Sequence, residues 1–539
     1  MKSLYFSLVV LLSSPLALLF SECEKKCCHE HCGSPPCGTV PYPSTIKTPD
    51  PILHSPQVWS FKSEPDLHPM KVEILTNKKG TSPGYIFVAP YTLSEDAMYG
   101  QTGSLIMDNC GNPIWFRPLS SPNLMNIDFR VQTLWGKQVL TFWQGTVATP
   151  TTYTNLPAGS SEPGSCFYIL DKHYNVIRTV KARNGFISDV HEFLITPRNT
   201  ALFLSTKTIP MDLTPYGGPS NGFVQDFAIQ EIDLESNRLL FFWDALDHIP
   251  LTDSFEPAST ATQTNNVWDV YHLNSIGLTD NKEDILLSGR NTWTIYRINK
   301  PTGDIVWRLG GKQNDFQIEP DALFSWQHDA RFLSDNVISL FDDNCCGSQS
   351  NVSSAPPARG LLIKLDLCCM RATKKRTYFH DPNLQVSSQG NLQSLKNGNK
   401  FIGWGQEPYY TEYLNPGNNV DDPALNLIYD AKMPGNNFSY RAYRHKWIGK
   451  PCYPPSIAVR TCKSHVLVYA SWNGSTETAA WRVYAGSCPT DLKEVKTVSK
   501  DGFETKISVR SCGPYFKAKA LNAKGKVIGE SDIVYVENK

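Results

Sequence analysis

From about Lys71 to Lys446 the chain is a series of short apolar runs. Each ends in Asp or Asn, passes a turn, and resumes as a run with an aromatic or Val/Ile core. SLIMDNCGNPIWF, CFYILDKHYNVIRTV, IQEIDLESNRLLFFW, TIYRINKPTGDIVWRL, LLIKLDLCCMRATKKR and NLIYDAKMPGNNFSYRAY share this plan. Runs this short, separated by turn residues, predict β-hairpins rather than helices. The closing residues Asp108, Asp171, Asp233, Asn299, Asp366 and Asp430 recur at steps of 62 to 67 residues. So long a period with four short strands per unit predicts a β-propeller, and six instances predict six blades.

A second series of hairpins lies between these. It comprises DFRVQTLWGKQVLTFWQ, DVHEFLITPRNTALFLST, VYHLNSIGLTDNKEDILLSGR, WQHDARFLSDNVISLFDD and SSQGNLQSLKNGNKFIGWGQ. Aligned with one another, they place Arg130, His191, His272, His328 and Gln389 at one position. Equivalent inner positions of a propeller converge on its central channel. A lone histidine in a strand is more often structural; three at one repeat position predict a shared site. His272 and Asn274 are two apart, so on a strand they share a face, and a hairpin brings Arg290 alongside. An imidazole, an amide and a guanidinium together suit an anionic tetrahedral group.

From about Tyr453 to Lys539 the apolar pattern changes to strict alternation, with Trp472 in an early run and Tyr515-Phe516 in a late one. This predicts a small β-sandwich of fibronectin type III or immunoglobulin-like kind. Cys452, Cys462, Cys488 and Cys512 lie in or beside it, and two disulfides of unreadable connectivity are expected. The chain is therefore read as all-β. Residues 1–21 form a signal peptide, 22–51 a Cys-rich segment and Pro-rich linker, 52–450 a six-bladed propeller and 451–539 the sandwich.

Composition narrows the function classes. Lys plus Arg and Asp plus Glu each total 51 in 539 residues, without the basic surplus of a nucleic-acid binder. MKSLYFSLVVLLSSPLALLFSE reads as a secretory signal, and no later run is apolar for 18 residues. A secreted chain with no membrane anchor after cleavage is expected. Fifteen cysteines suit an oxidising compartment, so Cys23, Cys27, Cys28, Cys32 and Cys37 are read as disulfide-forming in preference to a metal cluster with His29 and His31. Asn351, Asn437 and Asn473 head Asn-x-Ser sequons and are candidate glycan sites.

The central region, roughly Gly84 to Tyr443, resembles the arylsulfotransferase (ASST) family in its secreted fungal-type branch. The likeness is carried by DFRVQ (128–132), DVHEFLITPRNTAL (189–202), YHLNSI (271–276), SGRNTW (288–293), WRLGGK (307–312), WQHDARF (326–332), SQGN (388–391) and GWG (403–405). The resemblance implies a six-bladed propeller. It also implies sulfuryl transfer from an aryl sulfate to a phenol without a nucleotide sulfate donor. Carried over by motif, His328 is the candidate nucleophile, His272 and Asn274 match the family's His-x-Asn pair, Arg290 matches its arginine, and His191 its first-half histidine. A late polar group is offered by Ser388, Gln389 or Asn391.

The chemistry is consistent with that reading. A neutral imidazole is nucleophilic near neutral pH, and attack on sulfur gives a sulfohistidine. His272 or His191 would exchange the proton with the phenols, while Arg290 and Asn274 would hold the sulfuryl oxygens. Arg130 and Gln389 are expected at the substrate. The substrate ring has Trp143, Trp293, Trp326, Trp404 and Tyr409 as candidate partners. Asp329, next to His328, points the other way on a strand and should not orient that imidazole. No cofactor is called for. Zinc on three histidines is the metal alternative, and a fixed guanidinium beside a cation opposes it. Two other classes stay open: a binding module for an anionic aromatic ligand, and a different acid-base reaction at the same residues.

Overall fold

The computed structural model describes residues 50–537 except 93–97, 122, 148–160, 280–283, 334–335, 345–355, 416–425, 463 and 511–512. The expected signal peptide, the linker, the first five cysteines and the Asn351 sequon lie outside the described residues. What is described is all-β and propeller-like, with only short 3-10 turns between strands.

Four of the expected hairpin pairs form four-stranded antiparallel arrays, two of which gain a short parallel strand, Val267–Trp268 or Gln317–Ile318. They run from Met125–Leu134 to Val176–Val180, from Ile187–Ile195 to Leu239–Asp244, from Leu273–Leu278 to Ile305–Gly310, and from His328–Leu333 to Arg371–Tyr378. Two further sheets are composite. Tyr443–His445 pairs with Tyr85–Val88 and opens the sheet that continues through Pro113–Pro118. Glu73–Asn77 pairs with Leu427–Lys432 and finishes the sheet that begins at Asn391–Ser394.

Side chains alternate across each strand, so every sheet has two apolar faces. Leu286 packs with Ile338 and Leu361 of the following sheet, whereas Ile285 and Leu287 pack with Leu204 and Ile229 of the preceding one. Six such cores join consecutive sheets. The sixth joins Phe401, Tyr410 and Tyr429 to Ile86, Leu105 and Phe116, which returns to the first sheet.

The polar residues closing the third strands build the turns. Asp108 accepts from the backbone N–H of Cys110 and Asn112, Asp171 from His173 and Asn175, and Asp366 from Cys368 and Cys369. A short side chain that accepts two residues ahead stabilises such a turn. Asp430 departs from the expectation. It lies inside a strand flanked by Tyr409–Tyr413 and Glu73–Asn77, because the outermost strand of that sheet comes from the other end of the chain.

Residues 456–535 form two sheets around one core, with Val468, Ala470 and Ile507 facing Trp481, Val483 and Phe516. The loop after Trp472 docks on earlier strands. Asn473 Oδ1 accepts from Phe116 N–H at 2.9 Å, and its Nδ2 donates to Phe116 O at 2.8 Å. Gly474 follows with φ +92°, and a Cβ there would meet Tyr174 at 2.4 Å. This sequon nitrogen is thus engaged in docking. The Asn437 sequon is a correction: its side chain is fully buried, and Nδ2 donates to Tyr99 O and Met70 Sδ, so a glycan there does not fit this fold. Cys462 and Cys488 form no disulfide with another described cysteine, whereas Cys166 is disulfide-bonded.

Candidate active site

Five segments deliver the candidate residues to one place. His191 lies on Ile187–Ile195. Its ring centroid is 4.9 Å from that of His272, edge to face. Tyr440 stands between imidazoles, 5.7 Å from His191 and 6.4 Å from His328. Arg290 N–H donates to His272 O at 3.1 Å, so the hairpin brings the Arg290 backbone alongside His272, and its guanidinium donates to Asn291 Oδ1 at 3.0 Å and Ser387 O at 3.3 Å. Its guanidinium covers the Trp326 ring at 4.8 Å, Trp326 meets Trp293 edge to face, and Phe255 stacks on Trp293 at 3.7 Å.

The backbone is strained here. His272, Trp293, Trp326 and Gln389 have φ of +46°, +50°, +56° and +77°. Bulky residues in the left-handed region cost about 1–3 kcal/mol each and gather where function requires the geometry. His272 is therefore not in extended strand, and the strand alternation expected to give His272 and Asn274 a shared face does not apply. The register shifts between Leu273 and Ser275, which leaves Asn274 unpaired with the neighbouring strand. Asn274 Nδ2 donates to Gln327 O at 2.7 Å, and its buried Oδ1 is unpaired. The free atom is an acceptor. It suits a ligand hydroxyl rather than the sulfuryl oxygen that the sequence reading gave it.

Each imidazole is held by a carboxylate through Nδ1. His191 is 2.6 Å from Asp189 and His328 2.6 Å from Asp343, and His272 pairs with Asp269. His328 is fully buried, whereas the His272 side chain is 24% exposed, which makes it the imidazole most open to solvent. Burial pushes the His328 ring well below its ordinary pKa, and the neighbouring Arg290, His272, His191 and Arg441 add to this. Burial also lowers His272, outweighing the pull of Asp269. For Asp269, burial raises the carboxyl, but His272 and Arg290 bring it below the usual range.

Three expected substrate contacts are corrected. Arg130 is an ion-pair residue: it bonds Asp128 at 3.0 Å, Glu192, and Phe193 O. Its true counterpart is Arg331, because the register shifts from Ile127 to Arg130 and from His328 to Arg331 in the same way. Trp404 is fully buried, and its Nε1 donates to Thr411 at 2.9 Å, so it packs the core. Gln389 reaches the site by its backbone, whose N–H donates to His328 Nε2 at 3.3 Å; its side chain accepts from Tyr91. Asn391 brackets the Ala442 backbone instead. Of the other ring candidates, Trp143 donates to Ser188 O, and Tyr409 packs on His380. Asp329 does not hold the His328 ring, though not through strand alternation: its φ is +54°, and its carboxylate bonds Arg331 and the Leu392 N–H.

Sequence reasoning missed Asp269, Asp343, Phe255, Tyr440 and Arg441. Asp189, two residues before His191 on one strand, was legible as DVH. Arg441 is fully buried, bonds Asp128 at 3.0 Å, lies 3.3 Å from Glu192, and donates to Asn274 O at 3.0 Å. It joins Arg130 and Arg331 around Glu192. Burial would raise that carboxyl, but Arg331, Arg441 and Arg130 pull it down to about 2. A separate cavity of about 410 Å³, lined by Gln57, Lys71, Glu73 and Lys432, contains none of these residues.

No curated protein matches the chain. Among solved structures it resembles a protein of unknown function from Bacteroides caccae, with 12% identity over 67% of this chain and 98% of that one and a TM-score of 0.35. It also resembles a periplasmic gluconolactonase from Pseudomonas aeruginosa, with 10% identity over 72% and 94% and a TM-score of 0.27. The family model for arylsulfotransferase (ASST) matches residues 130–421. That span is more than half of the chain and holds His191, His272, Asn274, Arg290 and His328, so the chain belongs to the arylsulfotransferase family.

Proposed function

We propose that this protein moves a sulfuryl group from an aryl sulfate to a phenol through a sulfohistidine at His328, with no nucleotide sulfate donor. The observation that carries the reading is the meeting of three carboxylate-held imidazoles beside Arg290, inside the span of the family match. In the first step His328 Nε2 attacks sulfur and the S–O(aryl) bond breaks. Arg290 is a permanent cation with buried Nε–H unpaired and compensates sulfuryl charge as it develops. His272, the most open imidazole, exchanges the proton with the departing and incoming phenols. The Trp293–Trp326–Phe255 corner receives an aromatic ring.

The six sheets of residues 73–445 are read as six blades, with the site on their common axis. The two C-terminal sheets are read as a fibronectin III/Ig-like sandwich, and the protein is assigned to the extracellular space by its leader and cysteines. The test is incubation of the full chain with an aryl sulfate and a phenol. A sulfuryl mass gain on the His328 peptide and release of the first phenol are expected. His328→Ala should abolish turnover and leave ligand binding nearly intact; turnover at the normal rate in that variant would end the assignment. A binding module is the second reading, favoured by the Gln389 N–H that occupies His328 Nε2. It predicts binding of an aryl sulfate with no product.

A further inference from the structure

Two contacts on opposite atoms of the His328 ring fix its proton. The backbone N–H of Gln389 points at Nε2 from 3.3 Å. A backbone N–H can only donate, so Nε2 carries a lone pair. The proton of the neutral ring is then on Nδ1, which faces Asp343 Oδ2 at 2.6 Å. Both side chains of this pair are fully buried. The nearer acid in sequence is not available, because Asp329 bonds Arg331 and the backbone N–H of Leu392. Asp343 instead follows the return strand Val337–Asp342, where His328 pairs with Phe341, so the hairpin itself places the carboxylate behind the ring.

We propose that Asp343 is the positioning residue for His328: it holds the imidazole as the Nδ1–H tautomer and compensates the positive charge that the ring acquires on sulfuryl transfer. This rests on the reading of His328 as nucleophile. When the Nε2 lone pair forms the N–S bond, the S–O bond breaks and its electron pair leaves on the aryl oxygen. The ring keeps its Nδ1 proton and becomes cationic, 2.6 Å from a carboxylate. When the acceptor oxygen attacks sulfur, the N–S electron pair returns to the ring, which is neutral again. The proton lost by the acceptor phenol balances the one gained by the departing aryl oxide. Arg290, His272, His191 and Arg441 all face this imidazole with cationic or potentially cationic groups. The compensating anion therefore matters more here than beside an isolated histidine.

Asp343→Asn tests the role in the full chain, with p-nitrophenyl sulfate as donor and phenol as acceptor. The amide keeps the shape but removes the charge, so the ring that becomes cationic on sulfuryl transfer loses its compensating anion. A fall in kcat of about 10²–10⁴-fold is expected, with KM changed less than about threefold. The single-turnover rate of adduct formation on the His328 peptide should fall in parallel. No adduct in the unmodified protein overturns the nucleophile reading itself. An adduct there, formed at the same rate in Asp343→Asn, overturns the positioning role alone, as does an effect confined to KM. If thermal unfolding shows that the asparagine variant does not fold, Asp343→Glu replaces it. That variant keeps the charge but shifts it by one methylene; a loss of kcat of about tenfold or more supports the role, and an unchanged kcat overturns it.

Discussion

Burial of His328 and His272 sets the protonation of the site. Both rings are pushed below the ordinary imidazole value of about 6.5. A depressed folded pKa means that the neutral ring persists to lower pH, so nucleophilic Nε2 is lost only as pH falls through that lowered value. The acid limb of kcat/KM for aryl sulfate should therefore lie below about pH 6.5, and a pH–rate profile from pH 4 to 8 reads it directly. A limb at or above 6.5 would mean that the titrating ring is exposed. His445, pushed to about 3 by burial and by Arg130, acts in the same direction on stability. Below about pH 6.5 the unfolded chain takes up its proton first, so stability falls with acid down to about pH 3. At this scale the sequence revealed the three histidines and Arg290, because few residue types serve the chemistry. It hid Asp343 and Asp269, since an orienting carboxylate is fixed by side-chain direction, not by spacing.

The inner strands carry bulges, and these decide which side chains enter the site. Asp128 and Asp329 both have left-handed φ, +57° and +54°, and each folds back onto the arginine two residues on. DFR (128–130) and DAR (329–331) are thus one motif. Aligning Arg130 with His328 slipped the register by three, and the shared Asp-x-Arg was the available signal for the right alignment. The two arginines and Arg441 converge on Glu192 and balance three buried acids, Asp128, Glu192 and Asp329. Removing one member leaves a buried charge uncompensated, which costs more than the pair's net worth. Arg441→Met should lower unfolding free energy by about 3–5 kcal/mol in urea. Adding Glu192→Gln to that variant should restore part of the loss, because it neutralises the acid left bare. A loss below about 1 kcal/mol for Arg441→Met would show that water reaches the network.

Closure of the whole ring depends on contacts that local pattern does not reveal. Four sheets are built from consecutive hairpins, which is why the repeat was legible. The fifth and sixth borrow strands across the chain: Glu73 pairs with Lys432, and Ile86 with Arg444. For this reason the inner series showed five members in sequence, and the sixth, Ser439 to His445 with Tyr440 and Arg441, escaped notice. Such pairings form late, because loop-closure entropy opposes them until most of the ring exists. A chain ending at residue 433 keeps the Glu73–Asn77 strand in place but loses the inner strand of the first sheet, Arg441, and Tyr443, whose hydroxyl donates to Asp128 at 2.7 Å. A chain ending at residue 455 keeps all of these and loses only the docked pair of sheets, with the Asn473 bracket on Phe116. Calorimetry should find one cooperative transition in the 455-residue chain, at a lower Tm than in the full protein, with aryl sulfate turnover retained. The 433-residue chain should show no cooperative transition, since the Tyr85–Val88 edge is then unpaired and the three buried acids Asp128, Glu192 and Asp329 keep only two arginines, Arg130 and Arg331, to balance them. Cooperative unfolding of the 433-residue chain would locate closure in the Glu73–Asn77 strand alone. Loss of the transition in the 455-residue chain would make the C-terminal sheets part of the closure itself.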